Sequence, residues 1–331
     1  MDLNAGTAAP FNFNGLVRHY FLRRDPNQGD VMVTLRHRDE RDRSSHEIAL
    51  ALRTALKAVP LPPGATLGVV ETPPGPPVMA TLLAEIYGPD EASRRATALQ
   101  VEKLFREIDF IVDVQNSFRT PAPELRLVPD RPALDHLGLS ERQLLDSVGA
   151  VMGRQVVGYA PRGGGQSPLP IEVALDQQGR VWDGALKATP VAVAVTPAGP
   201  RLVELGELVT ASRGAGQGML FRRNGRAADM VMAELAGSQE APIYGMLAVR
   251  RAIDGFDWAG AGLVKPAIRL NGQPDDERVP TLLWDGEWEI TWVTFRDMGG
   301  AFLVALLGIY VLVVAQFRSF KVPLVILTPI P

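Results

Sequence analysis

The chain has 331 residues, a net charge of −3 and no cysteine. So small a charge, with no basic stripe interleaved with aromatics, excludes nucleic acid as the expected partner. The missing cysteines exclude disulfides and thiolate metal sites, and the length allows two or three compact units at roughly 100–200 residues each.

Residues 1–29 form a lead segment without the apolar run of a signal peptide. If the soluble part lies outside the cell, an upstream spanning helix must deliver it. Val31, Val33 and Leu35 then alternate as in a half-buried strand over residues 31–36. Ser45 opens a helix with Ile48, Leu52, Leu56 and Val59 at near-helical spacing, and the Pro- and Gly-containing run at 59–64 stops it. A strand is expected at 66–71, a Pro-rich loop at 72–78 and a strand at 80–87. A helix from about Asp90 carries Ala98, Val101, Phe105 and Ile108 on one face, and a strand follows near 111–114. The pattern β-α-β thus occurs twice.

It begins a third time with a strand at 124–128 and a helix capped by Ser140 and Gln143, carrying Leu144, Leu145, Val148 and Met152. Residues 158–219 lose helical periodicity and read as an inserted, mostly β subdomain with short strands at 171–174 and 191–195. A strand at 229–235 and a helix at 241–253 resume the interrupted unit, and 271–278 is a polar turn. The expected fold class is α+β: two ferredoxin-like split βαβ sandwiches, one of them carrying the insertion.

Residues 298–317 are twenty uncharged, mostly apolar positions, enough to cross a hydrocarbon core of about 30 Å. Before them, in a segment at 284–297, Trp284, Trp288 and Trp292 are expected at the membrane–water interface. Arg318 and Lys321 follow the helix, against a lone Arg296 before it, which favours a cytoplasmic C-terminal end and an external soluble part. Residues 318–331 begin another apolar segment, so the chain is expected to be a piece of a larger membrane protein.

Enzyme chemistry finds no support. His46-Glu47 starts like a zinc-protease motif, but position 50 is Leu where the second His belongs, so the pair reads as a solvated helix N-terminus. His19, His37, His46 and His136 lack ligand spacing. Gly214, Gly216 and Gly218 miss a dinucleotide-binding pattern because Met219 holds its last position. No catalytic residue, metal ligand set or cofactor is assigned. Met230 and Met232 share a strand face, with Met79 after the Pro-rich loop. Thioethers suit Cu(I) or Ag(I), but methionine is also an ordinary core filler, and that reading is adopted. Pro74, Pro76, Pro77, Val78 and Met79 are nominated as lining a substrate path, since their prolines stiffen an apolar tip. The plainer reading is a rigid connection.

The order of these segments resembles the resistance-nodulation-division (RND) transporters of the drug and metal efflux type. The run 125–140 (LRLVPDRPALDHLGLS) and its following helix, then Trp284-Asp-Gly-Glu-Trp-Glu289 leading into 298–317, carry the resemblance, with 15–23 and 45–49 in support. It implies the second periplasmic loop, the eighth of twelve helices and the start of the next. Residues 30–118 would be the first porter subdomain, 119–157 with 220–283 the second, and 158–219 half of the docking domain. It further implies a homotrimer in the bacterial inner membrane, a periplasmic adaptor, an outer-membrane channel and lipid as partners. The loop at 72–79 falls where drug pumps carry a Phe-rich switch loop, and here it has no aromatic residue. The family's proton-relay residues lie on helices outside the chain, and 298–317 holds no Asp, Glu, His, Lys or Arg. The chain by itself is therefore not expected to pump. The rival reading is a membrane-anchored periplasmic binding or scaffold module.

Overall fold

The computed structural model describes residues 1–62, 65–71, 78–118, 123–161, 168–176, 178–196, 199–216, 219–237, 239 and 241–328. Two compact units emerge, Met1–Thr120 with Gly218–Pro331, and Pro121–Gln217.

The first unit opens with β1 (Asp2–Ala5), antiparallel to β2 (Gly29–Met32), with the short helix α1 (Phe13–Val17) between them in sequence. Helix α2 (Ser45–Leu56) starts at a reciprocal cap: the Ser44 hydroxyl accepts from Glu47 N, and the Glu47 carboxylate accepts from Ser44 N. Strand β3 (Leu82–Tyr87) leads to α3 (Glu91–Arg106), whose N-cap Asp90 accepts from Ser93 N, and then to β4 (Ile111–Asn116). The expected strand at 66–71 is irregular backbone instead. Side chains hold it there. Arg53 reaches Val69 O and the Glu71 carboxylate, and Asp113 accepts from Val69 N, so no ladder is needed.

The second unit interrupts the first after β4. Its β5 (Pro123–Pro129) pairs antiparallel with β10 (Val209–Ala215). Between them in sequence come α4 (Arg131–Leu137), α5 (Glu141–Met152), β6 (Gln155–Ala160), β7 (Leu169–Val173), α6 (Gly184–Lys187), β8 (Pro190–Thr196), β9 (Gly199–Glu204) and α7 (Leu205–Leu208). Strands β6–β7 and β8–β9 form antiparallel pairs. The Ser140–Gln143 capping box expected for α5 is present. Leu134, Leu139, Leu144, Val191, Leu205, Leu208 and Val209 build this unit's own core.

The first unit resumes with β11 (Arg222–Arg223), β12 (Arg226–Ala227), β13 (Asp229–Leu235), α8 (Pro242–Gly255), β14 (Ala267–Arg269) and β15 (Thr281–Gly286). Five strands form one sheet in the order β14-β15-β3-β13-β4, antiparallel except for β14–β15. The four strands β15-β3-β13-β4 with α3 and α8 are a split βαβ sandwich. Its halves lie on either side of the insertion. This corrects the expected domain boundaries: β3, α3 and β4 share a sheet with β13 and β15, not with residues 30–71, and 121–157 belong to the inserted unit. Similar βαβ patterns specify each strand locally, but they do not say which distant strand it pairs with.

Alternation gives the sheet two distinct faces. Leu82, Ala84, Ile86, Val231, Ala233, Leu235, Leu282 and Trp284 form one core cluster with Ala98, Val101, Phe105, Met246, Val249 and Ile253 of α3 and α8. On the other face lie Leu83, Glu85 and Tyr87 of β3, Met230, Met232 and Glu234 of β13, and Leu283 and Asp285 of β15.

Strand β15 passes into α9 (Glu287–Phe317) with no linker. Gly286 makes the junction at φ +72°, where an added Cβ would sit 2.5 Å from Ala80 O. Only glycine fits that close approach without strain. The helix has 31 residues, its apolar stretch has a mean hydropathy of 2.5, and none of that stretch is buried inside the protein. It is long and apolar enough to cross a membrane. Arg318 ends it in the left-handed region at φ +48°, and Lys321 begins α10 (Lys321–Leu327).

Candidate functional site: the cavity on the second sheet face

The alternation that buries Val231 and Ala233 under the helices turns Met230, Met232 and Glu234 to the opposite face. There the lead segment covers the sheet. Arg18 donates to Glu234 Oε1 at 2.6 Å, Thr81 donates to Glu234 Oε2 at 2.6 Å, and Arg23 stacks on the Tyr20 ring at 4.9 Å while pairing with Asp30 at 3.2 Å. The Arg18 side chain is only 9% exposed. Burial opposes its charge, but the Glu234 carboxylate outweighs burial and holds the guanidinium above its ordinary range.

Between the lead segment and the sheet is a cavity of about 60 Å³. Arg18, Tyr20 and Glu234 line its polar side, and Met79, Met219, Phe221 and Met232 its apolar side. At the far edge β4 bulges against β13, and Asp113 takes φ +54°. The bulge re-aims Asp113 out of the ladder, and its carboxylate accepts from Arg53 Nε at 2.9 Å. The cavity thus sets a thioether-rich wall opposite one buried ion pair, in a space the size of a few water molecules. Among the described residues no group of three or more His, Cys, Asp or Glu is arranged to hold a metal ion.

Of the nominated path residues, Pro74, Pro76 and Pro77 lie outside the described residues. Val78 is buried, and Met79 lines the cavity, packed against the cluster that holds Met230 and Met232. The convergence of Met79, Met230 and Met232 follows from the strand alternation seen in the sequence. Arg18, Met219 and Phe221 escaped it because they reach the site from turns and irregular segments, and Tyr20 because it sits on a single 3-10 turn. Glu234 was recoverable as the next position in the Met230–Met232 alternation.

The nominated interface tryptophans divide. Trp284 is a correction: it is 2% exposed and stacked on Phe105, with ring centroids 6.1 Å apart. It belongs to the strand rather than the helix, and its face of β15 is the buried one. Trp288 donates to Leu270 O at 2.7 Å and packs on the core edge. Trp292 is 37% exposed, with its ring 6.2 Å from that of Trp288.

Residues 4–241 match the family model described as the AcrB/AcrD/AcrF family. A solved heavy metal efflux pump in one crystal form superposes with a TM-score of 0.61 at 17% identity, over 85% of this chain and 27% of that one. In a second crystal form it superposes with a TM-score of 0.65 at 16% identity, over 98% of this chain and 34% of that one. The chain thus spans about a third of the length of the solved chains it resembles. Among proteins of curated function, none matches.

Proposed function

The chain belongs to the AcrB/AcrD/AcrF family of RND efflux transporters, and on that footing we propose that it forms the substrate path and docking region of a proton-driven efflux permease. In this reading the soluble units face the periplasm, α9 crosses the bacterial inner membrane, and the permease works as a homotrimer with a periplasmic adaptor, an outer-membrane channel and surrounding lipid. The observation that carries it is the amphipathic cavity on a sheet that runs without a linker into the apolar helix. A path element needs both parts: a surface that takes cargo and a rigid connection to the membrane. The energy-coupling groups are assigned to other helices of the permease, because the apolar part of α9 holds no ionisable carboxylate or base.

A second reading concerns cargo. Three thioethers, Met79, Met219 and Met232, line one cavity, and soft ligands favour Cu(I) and Ag(I). The similar solved pump is described as one for heavy metals.

One titration tests path and cargo together. The chain in detergent micelles is titrated with Ag(I) and with an amphipathic cationic dye, alongside a Met79→Leu/Met232→Leu variant that keeps side-chain volume. Under the heavy-metal reading the variant binds Ag(I) at least about tenfold more weakly, roughly 1.4 kcal/mol, and the dye unchanged. Under a general amphipathic path the dye binds saturably, a cavity-filling Met232→Trp variant loses it, and Ag(I) shows no saturable site. Neither ligand binding saturably would overturn the proposal.

A further inference from the structure

The same sheet face carries a second polar group at the root of the membrane helix. Three carboxylates surround one guanidinium there. Arg223 of β11 lies 3.4 Å from Glu85 Oε1 on β3, 3.3 Å from Asp285 Oδ2 on β15 and 2.7 Å from Glu289 Oε2 in the first turn of α9. The Glu85 side chain is 1% exposed, and its Oε2 accepts from the Tyr87 hydroxyl at 2.5 Å. Gln273 closes the loop side, donating to Tyr87 Oη at 3.0 Å and to Arg223 O at 2.8 Å. The remaining charges on this wall already have partners: Arg269 pairs with Asp275 at 3.6 Å, and Arg296 with Asp297 at 2.7 Å.

With all three acids ionised, one guanidinium faces three negative charges, and one of them is out of contact with water. That arrangement is costly unless a proton neutralises the buried member. We propose that Glu85 is a proton-operated latch: while neutral, it leaves Arg223 to tie Glu289 of the membrane helix to Asp285 of the sheet, and on ionising it draws Arg223 away and releases the first turn of α9.

Two features support the direction. Burial, reinforced by hydrogen bonding with Asp285, pushes Glu85 up to about 8. For Asp285 burial acts upward, but hydrogen bonds from its neighbours and the Arg223 charge outweigh it and hold the carboxyl below its ordinary range. The proton of the Glu85–Asp285 pair therefore resides on Glu85. Glu289, through its hydrogen bond with Asp285 and partial burial, is itself raised to about 7 and takes up its own proton below that, still bonded to Asp285. Glu85 binds its proton more tightly in the latched arrangement, where Arg223 is shared with Glu289, than in the released one, where the guanidinium turns to Glu85, so latching is favoured at low pH and is lost as pH rises through about 8. The junction makes the tie consequential. Gly286, the last residue of β15, takes φ +72° directly before α9, so loss of the Glu289 tie leaves the helix root held by the Trp288 edge contact and the Glu287–Thr81 hydrogen bond. The latch operates whatever the cargo, so a failed cargo titration does not touch it, and its own failure leaves the path reading standing.

The chain has no cysteine, so spin labels at Asn224→Cys and Val293→Cys report the β11–α9 separation in lipid nanodiscs. A single short distance is expected at about pH 6, with a longer population growing to about pH 9.5 around the Glu85 midpoint. Glu85→Gln, permanently neutral, should keep the short distance from about pH 7.5 to about pH 9.5, above the Glu289 titration. An unchanged distance distribution in the otherwise native chain, or a pH response above about 7.5 that survives Glu85→Gln, would overturn the latch. Should Glu85→Gln not fold, infrared spectra of the unsubstituted chain decide the matter. A protonated-carboxyl band that persists above the Glu289 titration and disappears around pH 8 supports the latch, and its absence at about pH 7.5 contradicts it.

Discussion

Replacing Trp284 by Ala should lower the unfolding free energy of the first unit by about 3–5 kcal/mol, the usual cost of deleting a large aromatic from a packed core. Trp284 is 2% exposed, and its ring stacks on Phe105, a fully buried residue of α3. Truncation removes that stacking and leaves a cavity between β15 and the helices. Trp292→Ala, eight residues on, should change stability by no more than about 0.5 kcal/mol, because its ring is half in solvent. Urea unfolding in micelles followed by far-ultraviolet circular dichroism measures both. If Trp284 were an interfacial anchor the order would reverse, with no loss of domain stability and weaker bilayer partitioning.

The second large effect is expected at Arg53. Its side chain is 10% exposed and bridges two carboxylates, Glu71 at 2.8 Å and Asp113 at 2.9 Å, while also capping Val69 O. Arg53→Ala removes the guanidinium that both acids share, leaving Asp113 with Val69 N and Glu71 with His46, and should cost about 3–5 kcal/mol. Arg53→Lys should recover little, since one ammonium cannot replace a planar fork across two partners. A triple variant, Arg53→Met with Glu71→Gln and Asp113→Asn, removes the charges together and should regain much of the loss. The check is the urea midpoint across this series. Equal midpoints for Arg53→Ala and the unsubstituted chain would show that the network holds nothing in place.

What was legible in the sequence was local. The helical spacing of Ala98, Val101 and Phe105, the alternation of Met230 and Met232, and the Ser140–Gln143 cap each appear where their periods put them. What was not legible was pairing. Nothing in β3 or β13 states that Val231 sits opposite Ala84 across an insertion of nearly a hundred residues, because each strand is equally apolar toward any partner. The run from 66 to 71 looked like a strand for the same reason, yet the Arg53 and Asp113 side chains satisfy its backbone groups. Trp284, Trp288 and Trp292 recur at helical spacing, but β15 ends at Gly286, so the first of them obeys the strand's period and goes to the core. Glu85 sits in a run of otherwise apolar residues, where a lone acid gives no sign of the partners at 223, 285 and 289 that the topology brings to it.

The central claim is that one porter sheet continues directly into a helix that crosses the bilayer. Single cysteines at Asn271, Leu307 and Ser319, placed in the cysteine-free chain and reconstituted into liposomes, test it with a membrane-impermeant maleimide. Asn271→Cys should react from one side, Ser319→Cys from the opposite side, and Leu307→Cys from neither. Rapid labelling of Leu307→Cys, or labelling of both flanking positions from the same side, would contradict a spanning α9 and the transport reading built on it.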